Sequence, residues 1–123
     1  MSRPELRYLP AVALGAVLLA VSLVPLPETG GPALPAPLGV APDKWVHAVS
    51  YGALTALLAW ARRSHDAVAV AAIAALVIGY GAGIELLQGL VPSRGTSVPD
   101  LLANAVGAVS AALAWLGLVR RTG

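Results

Sequence analysis

Long apolar runs alternate with short polar stretches along the chain, and the runs have the length of a bilayer crossing. The first covers residues 8–26, about 19 residues, close to the roughly 20 that a helix needs to span the hydrocarbon layer. A signal peptide would have a shorter apolar centre and a small-residue cleavage site behind it, so this run is expected to stay as a helix. Further runs cover residues 43–61, 67–87 and 100–119. Pro25 to Pro42 is too rich in proline to continue a helix. It is expected as an extended loop across the membrane surface, with Leu34, Leu38 and Val40 dipping into the interface. Pro42-Asp43 and Pro99-Asp100 read as helix starts with the aspartates as N-caps. Arg62-Arg63 closes the second run, Ser64-His65-Asp66 makes a tight polar turn, and Arg120-Arg121 closes the fourth run. The pattern predicts an all-α membrane protein: a single domain over residues 1–123, with four transmembrane helices in two helical hairpins.

Charge placement orients this frame. Arg3, Arg7, Arg62, Arg63, Arg120 and Arg121 fall at the N-terminus, the second turn and the C-terminus, whereas Lys44 and Arg94 fall at the other ends of the runs. Cytoplasmic loops carry an excess of Lys and Arg. Both termini are therefore expected in the cytoplasm, and Lys44 and Arg94 on the extracytoplasmic side. Pro42 to Val49 (PDKWVHAV) also aligns without gaps on Pro99 to Val106 (PDLLANAV). This faint repeat suits two hairpins in the same orientation.

Two polar groups interrupt the apolar pattern. Asp43, Lys44, His47 and Tyr51 lie along one stripe of the second helix. Glu85 and Gln88 share a face of the third, Arg94 lies in the turn Pro92-Ser93-Arg94-Gly95, and Asp100, Asn104 and Gly107 form the matching stripe of the fourth. Each has a structural reading: Asp43 and Asp100 as caps, His47 and Asn104 as interhelical hydrogen-bonding glue, Tyr51 as an interfacial or core aromatic, Arg94 as a solvated loop residue. Gly81, Gly83 and Gly107 read as sites of close helix packing. Glu85 and Lys44 resist such readings. An acidic group deep in a span costs roughly 2.5–3.5 kcal/mol, less near the interface, and the helix C-terminus disfavours its charge further. Lys44, at a helix N-terminus, has the opposite problem. Pairing Glu85 with Lys44 or Arg94 relieves both and leaves one positive charge to face an anion. Two helix N-termini at the same place add free N–H groups. The residues thus predict an extracytoplasmic pocket for an anionic head group, phosphate or carboxylate.

Composition narrows the chemistry. The chain has 58% hydrophobic and 11% charged residues and a net charge of only +2, which gives no basis for nucleic-acid binding. With no cysteine and only His47 and His65, thiol chemistry, disulfides, iron–sulfur clusters and a histidine-rich metal site are excluded. Asp43, Glu85 and Asp100 are oxygen ligands of the kind a hard cation takes, but three carboxylates on different helices assign no metal. No cofactor is implied. The partners expected are membrane lipids, and no oligomeric state is assigned.

At these residues the chain resembles the VanZ-like family of small membrane proteins. The resemblance rests on D-K-x-x-H-x-x-x-Y (Asp43, Lys44, His47, Tyr51), on E-x-x-Q (Glu85, Gln88) and on R-x-x-x-x-x-D-x-x-x-N-x-x-G (Arg94, Asp100, Asn104, Gly107). It covers residues 43–118. Ala48 stands where the family often has an aromatic after the histidine. The family is named for a protein associated with resistance to the glycopeptide teicoplanin, so the resemblance implies a role in the cell envelope, with lipid-linked envelope precursors among its partners. It implies no defined reaction. Four functional readings follow. The first is a binding module for an anionic head group. The second is an intramembrane enzyme for phosphoryl or acyl transfer, with His47 or Glu85 as general base and Lys44 or Arg94 stabilising an oxyanion. The third, a proton-coupled transporter built on Glu85, is disfavoured because the polar residues cluster at one face and do not line a route across. The fourth is a structural ion-pair network.

Overall fold

A computed structural model describes residues 3–24, 35–92 and 94–123. Four long helices carry the chain: α1 (Leu9–Leu23), entered through a 3₁₀ turn at Pro4–Tyr8, α2 (Pro42–Arg62), α3 (Ala67–Gln88) and α4 (Val98–Thr122). The fold is all-helical among the described residues. Three stretches, Pro4–Leu23, Ala67–Gln88 and Val98–Thr122, are long and apolar enough to cross a membrane. At 21 residues α2 matches them in length, but Lys44, His47, Ser50, Tyr51 and Thr55 make it more polar. Residues 25–34, most of the proline-rich linker including Leu34, lie outside the described residues. Just before α2 the chain makes a single 3₁₀ turn, Pro37–Gly39, with Leu38 and Val40 exposed.

The helix starts differ from the expected aspartate caps. α2 begins at Pro42 after Ala41, which makes no side-chain cap bond, and Asp43 already lies inside the first turn. α4 begins at Val98, and its cap is Ser97, whose Oγ accepts the Asp100 N–H at 3.3 Å. The reason is the proline. Its fixed φ suits the first helical turn, and its missing N–H would have had no partner there, so each helix starts at or before the proline. A true aspartate cap stands elsewhere: Asp66 accepts the N–H groups of Val68 and Ala69 at 3.3 and 3.1 Å and starts α3. Arg63 closes α2 in the left-handed conformation (φ 56°), donating its N–H to the carbonyls of Ala59 and Trp60.

The distribution of side chains is that of a lipid-solvated bundle. Thr55, Glu85, Gln88 and Asn104 are buried, while Val46, Val49, Leu76, Leu86, Val106 and Leu113 face outward. Lipid tails are as apolar as leucine, so helices in a membrane associate through close packing of small residues and interhelical hydrogen bonds. α2 and α4, which run parallel with α3 returning between them, share the most extensive contact. A Cβ on Gly107 would overlap the Ala48 carbonyl, and one on Gly52 would come within 3.1 Å of the Gly107 oxygen. At Gly81 a Cβ would sit 2.8 Å from the Tyr51 ring and 2.9 Å from the Asn104 amide. Gly83, in contrast, faces open space; the packing role expected for it falls away because it points out of the bundle. Tyr80 ties α1 to α3 through a 2.5 Å bond from its hydroxyl to the Gly15 carbonyl. The aligned repeat has a structural counterpart, for its matched positions 47 and 104 meet across the α2–α4 contact.

Candidate functional site

The parallel start of α2 and α4 brings the first polar group together. Lys44 Nζ lies 2.5 Å from Asp43 Oδ2 and 2.5 Å from Asp100 Oδ1. The other oxygen of Asp100 stands 3.6 Å from His47 Nε2. One turn deeper, His47 Nδ1 lies 2.8 Å from Asn104 Oδ1; with that oxygen as acceptor, Nδ1 carries the ring proton. The imidazole stacks on Tyr51, ring centroids 6.3 Å apart and planes 6° from parallel. Both nitrogens of His47 are therefore directed at α4, and its ring is clamped on a buried aromatic. Thr55 Oγ1 bonds the Tyr51 carbonyl at 2.9 Å one turn on.

The second group joins α3, the turn after it and the end of α1. Glu85 is 1% exposed. Its Oε2 accepts the Ser97 N–H at 2.8 Å, and its backbone carbonyl accepts the Thr96 hydroxyl at 3.2 Å. Gln88 Nε2 donates to the Ser22 carbonyl at 3.0 Å. Arg94 donates from Nε to the Val24 carbonyl at 2.8 Å and from Nη2 to the Val21 carbonyl at 3.1 Å. These are terminal carbonyls of α1, unpaired within the helix and at the negative end of its dipole, where a guanidinium is favoured.

The expected pairing of Glu85 with Lys44 or Arg94 is therefore corrected. Lys44 is held between two carboxylates at the start of α2 and α4. Arg94 turns toward α1. Glu85 is satisfied by a backbone donor that the residue 94–97 segment brings back over the end of α3. Asp43 and Asp100 share Lys44 while Glu85 stands apart from them, and among the described residues no cluster of three ligating side chains suited to a metal is formed.

Between α1, α2 and the end of α3 lies a cavity of about 110 Å³. Ser22, His47, Ser50, Tyr51, Gln88 and Arg94 supply its polar lining, with Leu18 and Val46 among its apolar walls. No carboxylate lines it; Asp43 and Asp100 lie on the α4 side of His47. The volume is that of a few waters, each about 30 Å³ in the liquid, so it has room for one small polar group and not for a whole lipid head.

Of the nine expected site residues, Asp43, Lys44, His47, Tyr51, Asp100 and Asn104 form one connected cluster, and Glu85, Gln88 and Arg94 form another around the α3–α4 turn. His47 and Tyr51 touch the cavity that Gln88 and Arg94 also line. Ser50 and the carbonyl end of α1 are not among the expected residues, and Ser97, which reads from the sequence only as a loop serine with a weak claim as nucleophile, caps α4 and donates its N–H to Glu85. Ser97 carries a legible signal, since Ser-x-x-Asp ahead of an apolar run is a helix-start pattern; its bond to Glu85 carries none. Ser93 lies outside the described residues.

A family model described as VanZ/LLP1 matches residues 11–120, nearly the whole chain. The match begins inside α1, ahead of the motif-bearing residues 43–118, in keeping with the role of α1 carbonyls in holding Gln88 and Arg94. No curated protein and no solved structure matches the chain. With its ordered motif residues gathered at one end of a helical bundle, and that match over most of its length, the chain belongs to the VanZ/LLP1 family of helical membrane proteins.

Proposed function

We propose that this protein is a binding module of the cell envelope, in which the cavity beside Arg94 receives the phosphate or carboxylate of an anionic head group, lipid-linked envelope precursors being candidates of that class. The observation that carries the reading is the composition of the cavity wall: one guanidinium, an amide, three hydroxyl side chains and an imidazole, with no carboxylate. Arg94 has five N–H donors and spends two on α1. The remaining three suit a planar or tetrahedral oxyanion. The reading takes α2 as a fourth span, its polar side turned inward onto α3 and α4 and its Val46 and Val49 outward. It also takes both termini as cytoplasmic, since the Arg-rich ends lie together, and the cavity as extracytoplasmic.

In this arrangement Lys44 is not the cation that meets the ligand. With Asp43 and Asp100 it forms a local ion-pair cluster that fixes α2 on α4 and orients His47. A structural reading thus holds for that cluster, while the cavity carries the binding. An intramembrane enzyme is less well supported. His47 has both nitrogens turned toward α4, and Glu85, buried on a backbone N–H, does not line the cavity.

The test is a titration of isotope-labelled protein in zwitterionic detergent with a short-chain phosphatidic acid, followed by NMR. Saturable shifts are expected at the Arg94 Nε–H and the Gln88 side-chain amide. They should weaken about tenfold or more in Arg94→Gln, the loss of a charge-assisted hydrogen bond, and persist in Lys44→Gln. Shifts that vanish in Lys44→Gln and survive in Arg94→Gln would return the site to the α2–α4 cluster and end this reading.

A further inference from the structure

At the opposite end of the bundle lies a second and larger cavity, of about 390 Å³. Arg7, Trp60, Arg63, His65, Trp115 and Leu118 line it, so it is built from the turn before α1, the end of α2, the α2–α3 turn and the end of α4. Its lining holds two guanidiniums and an imidazole and no acid. Among the described residues, neither Arg7 nor Arg63 takes part in an ion pair, the pairs being those of Lys44 and His47 with Asp43 and Asp100. Arg7 Nε is buried and has no hydrogen-bond partner among the described residues. Asp66, the acid nearest Arg63 in sequence, is occupied with capping α3. A buried guanidinium N–H without an acceptor is costly, and no carboxylate in the cavity wall offsets the two guanidiniums.

The wall is also fixed in shape. Trp115 Nε1 donates to the Ser64 carbonyl at 2.8 Å, pinning its indole across the α2–α3 turn. Trp60 is half exposed beside it. Tryptophan is enriched at the boundary between hydrocarbon and head groups, and Leu118 and Val119 continue the wall as apolar surface. The backbone adds a third observation. Arg63 holds a left-handed conformation, φ 56° and ψ 43°, that costs a residue with a Cβ and that glycine adopts freely. The helix thus ends on an arginine in a conformation that a glycine would hold at less strain.

We propose that this cavity binds the phosphate of an anionic phospholipid, with Arg7 and Arg63 as its donors and the acyl chains running along the exposed apolar side of α4. A phosphate supplies the anionic partner that the cavity wall lacks. The apolar continuation and the two tryptophans favour a lipid over a soluble phosphate. Basic pockets between helices on the cytoplasmic side are suited to anionic head groups. The site is separate from the Arg94 cavity and independent of it.

The left-handed position gives a clean variant. Arg63→Gly removes the charge and relieves the strain, so it should fold with an unchanged or higher melting temperature. Of the three tryptophans, only Trp45 lies outside the cavity, so Trp45→Phe leaves fluorescence as a report on this site. That protein is placed in phosphatidylcholine nanodiscs containing a minor fraction of a dibrominated lipid, whose bromines quench nearby indoles. Dibrominated phosphatidylglycerol should quench more than dibrominated phosphatidylcholine at the same fraction. Arg63→Gly should lower its apparent affinity about tenfold, and Arg63→Lys should keep most of it. Equal quenching by the two lipids, or an Arg63→Gly protein that binds as the parent does, would overturn the proposal. A fluorescence change of the same size on adding inorganic phosphate to discs without anionic lipid would assign a soluble ligand and overturn the lipid source.

Discussion

The two ends of the bundle solve opposite electrostatic problems. At the end where α2 and α4 begin, charges of both signs meet: Lys44 sits between Asp43 and Asp100, Glu85 holds a backbone N–H, and Arg94 holds the carbonyls of α1. At the other end Arg7 and Arg63 line a cavity with no acid in its wall. Polar groups removed from water need partners, and the first end draws nearly all of them from the chain itself. The second end is left to draw them from its surroundings. Side chains at the first end are therefore part of the fold, whereas Arg7 and Arg63 at the second join no ion pair among the described residues, and removing the Arg63 charge is expected to leave the fold intact.

That contrast is open to direct attack. The largest effect belongs to the contact beneath the polar end. Gly107→Leu would drive a side chain into the Ala48 backbone and should destabilise by about 3 kcal/mol or more, the upper range for overpacking, measured by unfolding in mixed detergent. Glu85→Ala would leave the half-buried Ser97 N–H without its acceptor and should cost about 2 kcal/mol, within the range for such orphaned groups. Glu85→Gln, which keeps an acceptor oxygen, should cost less than half of that. Asp100→Asn would remove one of two carboxylates from a partly exposed Lys44 and should cost about 1 kcal/mol. The smallest effect lies at the other end, where Arg63→Gly should be neutral or stabilising by up to about 1 kcal/mol as left-handed strain is relieved. A destabilisation by Arg63→Gly as large as that of Glu85→Ala would erase the distinction between the two ends.

Much of this was legible in the residue pattern. The runs located the four helices to within a few residues, and three of the four are long and apolar enough to cross a membrane, because a long apolar run outside water satisfies its backbone as a helix. The stripe of Asp43, His47 and Tyr51 faced Asp100 and Asn104 as helical spacing implies. The partners were less legible. Glu85 and Lys44 looked like natural counter-ions because each was anomalous in its own helix, yet the anomaly of Glu85 is resolved by a peptide N–H, and backbone donors leave no trace in side-chain identity. Arg94 looked free because its acceptors are carbonyls of α1, more than sixty residues earlier in the chain. The caps shifted for a local reason: the prolines at 42 and 99 enter the first helical turn instead of preceding it. The basic cavity was hidden because Arg7, Arg63 and His65 read singly as flanking charges, and only the meeting of three chain segments joins them.

At the polar end the proposed partner of the anion is Arg94 and not Lys44. Native mass spectrometry of the Arg63→Gly protein with its co-purified lipids isolates that end. The expected result is one retained anionic lipid that survives Lys44→Gln and disappears in Arg94→Gln, with both variants still folded. Loss of the lipid in Lys44→Gln, or its retention in Arg94→Gln, would contradict it.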